Sequence, residues 1–288
     1  MSLLSHNEIR IFISPHQVDL VHISGRGKRQ TRDARVLPVP ASAPDEAPWQ
    51  KALATLDELT NEFRHSKADV TLVLSNHFVR YVLIQHSAEI DSSDAQQALI
   101  RHYFANTYGP IADKWEFRLS DIGNNDEYQV ASAINPDLTN ALRGQFQQSK
   151  MVIRSIQPHL MAAFNSVRRD IGVNAWFALV EPGMLCLARL DRGQWRFLRT
   201  FNSRDDWHGD LTINLLRAKV LMNEDSNRFA AEVPVYVYAP GHSDIPWISM
   251  EQQTSDLFGI NPMRLLRPAH LPSDASSIQP LFAMALTG

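Results

Sequence analysis

The sequence predicts a duplicated α/β fold of two units, each opening with a short β meander and continuing with helices that alternate with further strands. Three observations carry this. EIRIFISPHQVDLVHIS, near the N-terminus, alternates apolar and polar residues on both sides of Pro15, as two strands and a turn do. WFALVEPGMLCLARLDRGQWRFLRTF, past the midpoint, reads as three strands joined by the tight turns EPG and DRG. Behind each of these, helical periodicity returns, and helices between strands imply mixed sheets covered on both faces.

In the first unit Ile9, Ile11 and Ile13 alternate in one strand, and Val18 and Leu20 in the next. A basic stretch, GRGKRQTRDAR, leads to the β-prone VLPV, and the Pro- and Ala-rich PVPASAPDEAP reads as an exposed connection. A helix follows over about 49–64, with Leu53, Leu56, Leu59 and Phe63 on one face. Strands at about 69–75 and 78–85 flank Ser75 and Asn76, which read as the turn between two paired strands or as the kink between them. Ser92 and Ser93 stand where a helix cap belongs, and Gly109 ends that helix. Its apolar face is expected along Ala95, Leu99, His102 or Tyr103, and Tyr108. Strands near 114–119 and 127–134, a helix from Pro136, a strand at 151–156 and a helix over 158–171 complete this half. The second half adds a helix over 209–222 with Leu211, Leu215, Ala218 and Met222 in register, the strand VPVYVYA, a helix after Pro246 and a last helix at about 275–286. The expected division is a first lobe over 1–160, with a subdomain inserted at about 69–150, and a second lobe over 161–288.

Composition narrows the function classes. Of 288 residues, 44% are hydrophobic and 20% charged, which is the balance of a chain with a substantial core. The net charge of −3 supplies no basic field, so nucleic acid is not the expected partner. The single cysteine, Cys186, forms no intrachain disulfide, which fits a reducing compartment. The N-terminal residues lack the pattern of a secretory signal. No stretch offers the ~20 apolar residues of a bilayer span. A cytoplasmic protein, peripheral to a membrane only through its partners, is the expectation.

The motif that invites a catalytic reading is LVLSNHFVRYVLI, where Ser75, Asn76, His77 and Arg80 crowd between two apolar runs. Ser75 lacks the strand–turn–helix setting of a nucleophile elbow. Strand alternation separates His77 from Arg80, and Arg80 reads as a surface or interlobe salt-bridge residue. GRGKR lacks the spacing of a phosphate-binding loop and reads as a solvated basic loop. In SRDDWHGD, Asp206 and Asp210 precede a helix, where carboxylates cap and meet the positive end of the dipole. Adjacent loop residues seldom converge on a metal ion, so no metal site is assigned. Cys186, mid-strand among apolar neighbours, reads as a structural thiol.

Four segments carry a resemblance to a family: IRIFISPHQVDLVHI, ADVTLVLSNHFVRYVLI, ALVEPGMLCLARLDRGQWRFLRTF and SSIQPLFAMALTG. In order and placement the chain resembles the actin-like cytoplasmic proteins of bacterial envelope machines. These are the PilM family of type IV pilus assembly, its MshI-like relatives and the cytoplasmic part of the GspL family of type II secretion. The resemblance implies the actin-like ATPase fold, duplicated and ribonuclease H-like. It also implies a partner: a cytoplasmic segment of an inner-membrane assembly protein, docked in a groove of one lobe. The sequence does not locate that groove, and it leaves the oligomeric state open.

An intact member of the fold grips ATP and magnesium with two glycine-containing hairpin turns and an aspartate. Here the first turn is ISPHQ, without Asp or Gly. The second is EPGM, and the adenosine-side motif is YAPGH. Proline removes a backbone donor at each of the three places. The expectation is therefore a non-catalytic scaffold without catalytic residue, metal or cofactor. Should nucleotide bind, Glu181, Gly183 and Gly241 are the residues placed to hold it, and an ATP-dependent kinase or ATPase of the same fold would have Glu181 and Asp19 as its carboxylates. His77 and Arg80 are the candidates for partner or interlobe contact.

Overall fold

The computed structural model describes residues 6–25, 30–86, 92–120, 127–204, 206–222, 233–240, 263–266 and 284–285. The expected helices after Pro246 and at 275–286 lie outside this set, apart from Met284 and Ala285. In the first unit, β1 (His6–Ile13), β2 (Gln17–Gly25) and β3 (Gln30–Pro38) form an antiparallel meander. After α1 (Gln50–Thr60), β4 (Ala68–Leu74) returns parallel to β1, and β8 (Met151–Pro158) adds parallel to β4. The sheet order is β3-β2-β1-β4-β8. The second unit repeats this connectivity. Its meander is β9 (Ala175–Glu181), β10 (Met184–Asp191) and β11 (Gln194–Asn202), followed by α5 (Trp207–Leu221), β12 (Val235–Tyr238) and β13 (Met263–Leu266), in the order β11-β10-β9-β12-β13. The internal repeat expected from the sequence is thus a repeat of strand order.

Between β4 and β8 the chain builds a separate three-stranded sheet, β5 (Val79–Gln85), β7 (Tyr128–Ile134) and β6 (Glu116–Leu119), covered by α2 (Ser93–Tyr108). Here the sequence expectation needs correcting. β4 and β5 do not pair with each other: the turn at Ser75–Phe78, closed by Phe78 N–H to Ser75 O at 3.0 Å, hands the chain from one sheet to another. The buried face of α2 also differs. Ile100 and Phe104 are buried, and Leu99, Tyr103 and Tyr108 pack against them, so the stripe is rotated from the one begun at Ala95. The Ser92 cap stands as expected, accepting from Ala95 N–H at 3.1 Å. α3 (Pro136–Gln147) then returns the chain to the first sheet, with Asn135 as its cap.

One core joins the two repeats. Leu56 of α1 and Leu138 and Leu142 of α3 cover Ile9, Ile11, Leu20 and Leu72 of the first sheet. The same cluster continues through Leu160, Ala163 and Val167 of α4 (His159–Val167) to Phe177, Leu179, Cys186 and Tyr238 of the second sheet. The far face of that sheet packs Trp176, Val180 and Leu187 against Trp207, Leu211 and Leu215 of α5. Each fully buried side chain of this size contributes about 1.5–3 kcal/mol relative to exposure. Separating the repeats would therefore cost a large share of the fold's stability.

Candidate functional site

The two meander turns face each other across the junction of the repeats. In the first, Ser14 organises the backbone. Its Oγ accepts from His16 N–H at 3.2 Å and Gln17 N–H at 3.0 Å, so the turn's amides are engaged within the turn. In the second, strand alternation puts Glu181, at the end of β9, on the same face as Phe177 and Leu179, towards the first unit. Pro182 and Gly183 follow, Gly183 with φ of 79°.

Glu181 is 2% exposed, and its carboxylate closes a polar cluster. Ser75 Oγ donates to Oε2. Asn76 Nδ2 donates to Oε1 at 2.6 Å, and Asn76 N–H is shared between the two oxygens at 3.2 Å each. His159 Nδ1, the first residue of α4, donates to Oε1 at 2.5 Å. Burial alone would push this carboxyl up. The His159 ring and the Ser75 and Asn76 donors outweigh that effect and hold it below the ordinary carboxylate value. Asn76 Oδ1 meanwhile accepts from Tyr81 OH at 2.5 Å and Leu160 N–H at 3.3 Å, which fixes the amide with its nitrogen towards Glu181. Ser75, Asn76 and His159 are each fully buried.

The other residues named from sequence scatter around this cluster. His77 Nε2 meets Pro182 O at 2.9 Å, and its ring lies edge-on to His16 with centroids 5.3 Å apart. A Cβ on Gly183 would come within 3.2 Å of His77 and 3.4 Å of His16. Arg80 does not join them. Its Nη1 donates to the carbonyls of His77 at 3.0 Å and Val79 at 3.1 Å. Asp19 is fully buried on the opposite face of the first sheet from Val18 and Leu20, with Oδ1 accepting from Gln17 at 2.8 Å and Oδ2 without a hydrogen-bond partner among the described residues. Burial pushes its carboxyl well above the usual range, only partly opposed by Gln17. Gly241 lies outside the described residues. Asp206 and Asp210 act at the start of α5, accepting from Gly209 N–H and from Arg204 N–H and Ser203 Oγ. Among the described residues no cluster of three or more His, Cys, Asp or Glu is arranged to hold a metal ion. Sequence reasoning missed His159 and the acceptor role of Glu181 towards Ser75 and Asn76. No spacing rule connects positions that far apart.

A second feature is a groove of about 1240 Å³ between the inserted sheet, β8 and α4, with the β10–β11 turn at one end. Arg118 and Ser132 line one wall and Gln157, Met161 and Phe164 the other, with Trp195 at the end. β8 and β6 are edge strands among the described residues, and both line the groove. The inserted sheet also reaches the second unit directly. Arg196 Nη1 pairs with Glu127 Oε2 at 2.5 Å, and the Arg196 guanidinium lies 5.4 Å from the Tyr128 ring centroid.

No protein-family model and no curated protein matches the sequence. Solved structures do match. A PilM-PilN type IV pilus biogenesis complex is similar over 97% of this chain and 96% of that one, with a TM-score of 0.67 at 16% identity. A Bacteroides thetaiotaomicron protein of unknown function, with an actin-like ATPase fold, matches over 91% of each chain with a TM-score of 0.58 at 12% identity. The fold is actin-like. The cytoplasmic domain of EpsL, an inner-membrane component of the type II secretion system of Vibrio cholerae, shares it over 98% of this chain and 95% of that one, with a TM-score of 0.56 at 9% identity. At such identities the likeness is one of fold. In this chain the two meander turns and Glu181 lie where the two repeats meet. No helix among the described residues is long and apolar enough to cross a membrane.

Proposed function

We propose that this actin-like chain is a non-catalytic, cytoplasmic assembly component of a type IV pilus or type II secretion-like machine, binding a cytoplasmic segment of an inner-membrane partner. The observation that carries the non-catalytic part is the state of the cleft. The donors of Ser75, Asn76 and His159 are already taken by Glu181, and the first turn's amides by Ser14. A magnesium nucleotide does not fit these residues. It needs free amides for phosphate and a solvated carboxylate for the metal, whereas Glu181 is buried and hydrogen-bonded and Asp19 is buried with its carboxyl pushed up. Likeness to PilM in its complex and to the EpsL cytoplasmic domain supports the machine assignment. The groove beside β8 supports the mode of binding. An open strand edge offers backbone hydrogen bonds to an extended segment, and Met161, Phe164 and Trp195 offer apolar contact.

Two measurements test the reading. Magnesium-ATP at about 100 times a dissociation constant would stabilise a true binder by about 2.7 kcal/mol, a shift of several degrees in melting temperature. No shift beyond that given by salt is expected. A shift abolished by Glu181→Ala overturns the non-catalytic reading in favour of an ATP-dependent enzyme. For the partner, cytoplasmic segments of single-span inner-membrane assembly proteins are titrated against the wild type and a Ser155→Trp variant, in which a β8 residue lining the groove is enlarged to obstruct it. Binding at least about tenfold weaker in a folded variant is expected, equivalent to ~1.4 kcal/mol. Unchanged binding removes the groove from the proposal.

A further inference from the structure

We infer that Ser75, Asn76 and His159 form an oxyanion site, shaped for a small carboxylate or a phosphate, in which the chain's own Glu181 is the resident ligand. The donors and the acceptor come from different parts of the molecule. Everything that positions the donors lies at or before residue 160. Ser75 N–H is tied to Ile13 O at 2.9 Å, and Phe78 N–H closes the turn onto Ser75 O. His77 N–H donates to Ser75 Oγ at 3.2 Å, which leaves that hydroxyl's proton directed outward, to Glu181. The Asn76 amide is oriented by Tyr81 and Leu160, and the His159 ring is seated edge-on against Phe12, with centroids 5.0 Å apart. Glu181 alone arrives from the second unit, at the end of β9. The donor set is thus assembled before the carboxylate is considered.

The chemistry of the set selects its ligand. Ser75 Oγ–H, Asn76 N–H, Asn76 Nδ2–H and His159 Nδ1–H converge on two oxygens of one planar anion, with each oxygen receiving more than one donor. Such convergence in a water-poor setting favours an oxyanion over a neutral group, since charge-assisted bonds are about twice as strong as neutral ones. A carboxylate fits directly, and two oxygens of inorganic phosphate present the same pair of acceptors. In the native chain the tether supplies the anion at high effective concentration, so free oxyanions do not compete.

The test is chemical rescue. Thermal unfolding of wild type and Glu181→Ala is followed against sodium formate, sodium acetate and inorganic phosphate, each compared with sodium chloride at matched ionic strength. The variant is expected to melt lower than wild type. It should recover by about 3 °C or more, saturably, in at least one oxyanion, while wild type responds to all the salts alike. Recovery in formate or acetate identifies a carboxylate site, and recovery in phosphate a phosphate site. The doubly substituted Asn76→Ala, Glu181→Ala chain should lose the response. If Glu181→Ala is unfolded in chloride, recovery of native circular dichroism in an oxyanion is the same positive result. No response beyond chloride by either measure overturns the inference. Because neither magnesium nor nucleotide is present, this outcome is independent of whether the chain is an ATP-free scaffold.

Discussion

Glu181 and Asp19 are both buried carboxyls, and their surroundings send them in opposite directions. Glu181 has converging donors, so its carboxyl is held below its ordinary value of 4.5 despite burial. Its stabilising contribution is complete above that value and is lost as pH falls through the lower folded-state value. Glu181→Gln keeps the shape but removes the charge, leaving donors facing an amide nitrogen. A loss of about 3 kcal/mol near neutral pH is expected, by analogy with breaking a buried pair. The gap to wild type should close as the pH falls through the lowered folded-state value, and urea unfolding across the acid range measures it. Among the described residues Asp19 has one donor, Gln17, so burial dominates and its carboxyl sits well above its ordinary 3.8. The sign reverses: the contribution is complete below the unfolded value and lost as pH rises through the folded one. Asp19→Asn carries no such loss. It should gain on wild type as pH rises, and a gap independent of pH would show that Asp19 does not titrate within the fold.

At the scale of elements, the strands and helices were legible wherever one face is buried and the other is not. The meander strands and the buried faces of α1 and α5 follow the expected periodicity, and α3 starts at the expected Pro136. What alternation could not reveal is partnership. β4 and β5 look alike as apolar runs on either side of Ser75 and Asn76, and only tertiary pairing assigns them to different sheets. The stripe on α2 was misplaced because the helix carries aromatic residues around much of its circumference. Phe104 is the residue the small sheet buries, in contact with Phe117 at 5.0 Å between centroids. Phe104→Ala is therefore expected to cost about 3–5 kcal/mol, whereas Ala95, at an exposed position, should tolerate substitution within about 0.5 kcal/mol. Denaturant midpoints of the two variants check the corrected face. The turn after β9 has its own constraint. Gly183 has positive φ and sits 3.2 Å from His77 at the position a Cβ would take, so Gly183→Ala is strained in the backbone and crowded at the side chain. A loss of at least about 1 kcal/mol is expected.

At the scale of the whole molecule, the duplicated strand order was legible because each half opens with the same meander. The cleft was legible only as a set of missing nucleotide features, since its three contributing segments are brought together by the fold and not by sequence spacing. The structure turns that absence into an arrangement: Glu181, the continuous core through α4 and the Arg196–Glu127 pair each join the repeats. Exposed pairs such as Arg196–Glu127 contribute little, so the core and the buried carboxylate carry the union. A core shared in this way predicts that the two repeats unfold as one cooperative unit. Cys186 reports on it directly. The thiol is fully buried in the core shared by both sheets, and burial and the nearby Glu181 carboxylate push its ionisation well above the ordinary range. Labelling by a thiol reagent thus requires the repeats to part or the second sheet to unfold. If the lobes are one unit, the denaturant dependence of Cys186 labelling should coincide with the loss of far-ultraviolet circular dichroism. Labelling at lower denaturant, with secondary structure intact, would mean that the repeats separate before they unfold. Glu181→Gln should shift both curves together towards lower denaturant, since the carboxylate acts at the junction and not within either sheet alone.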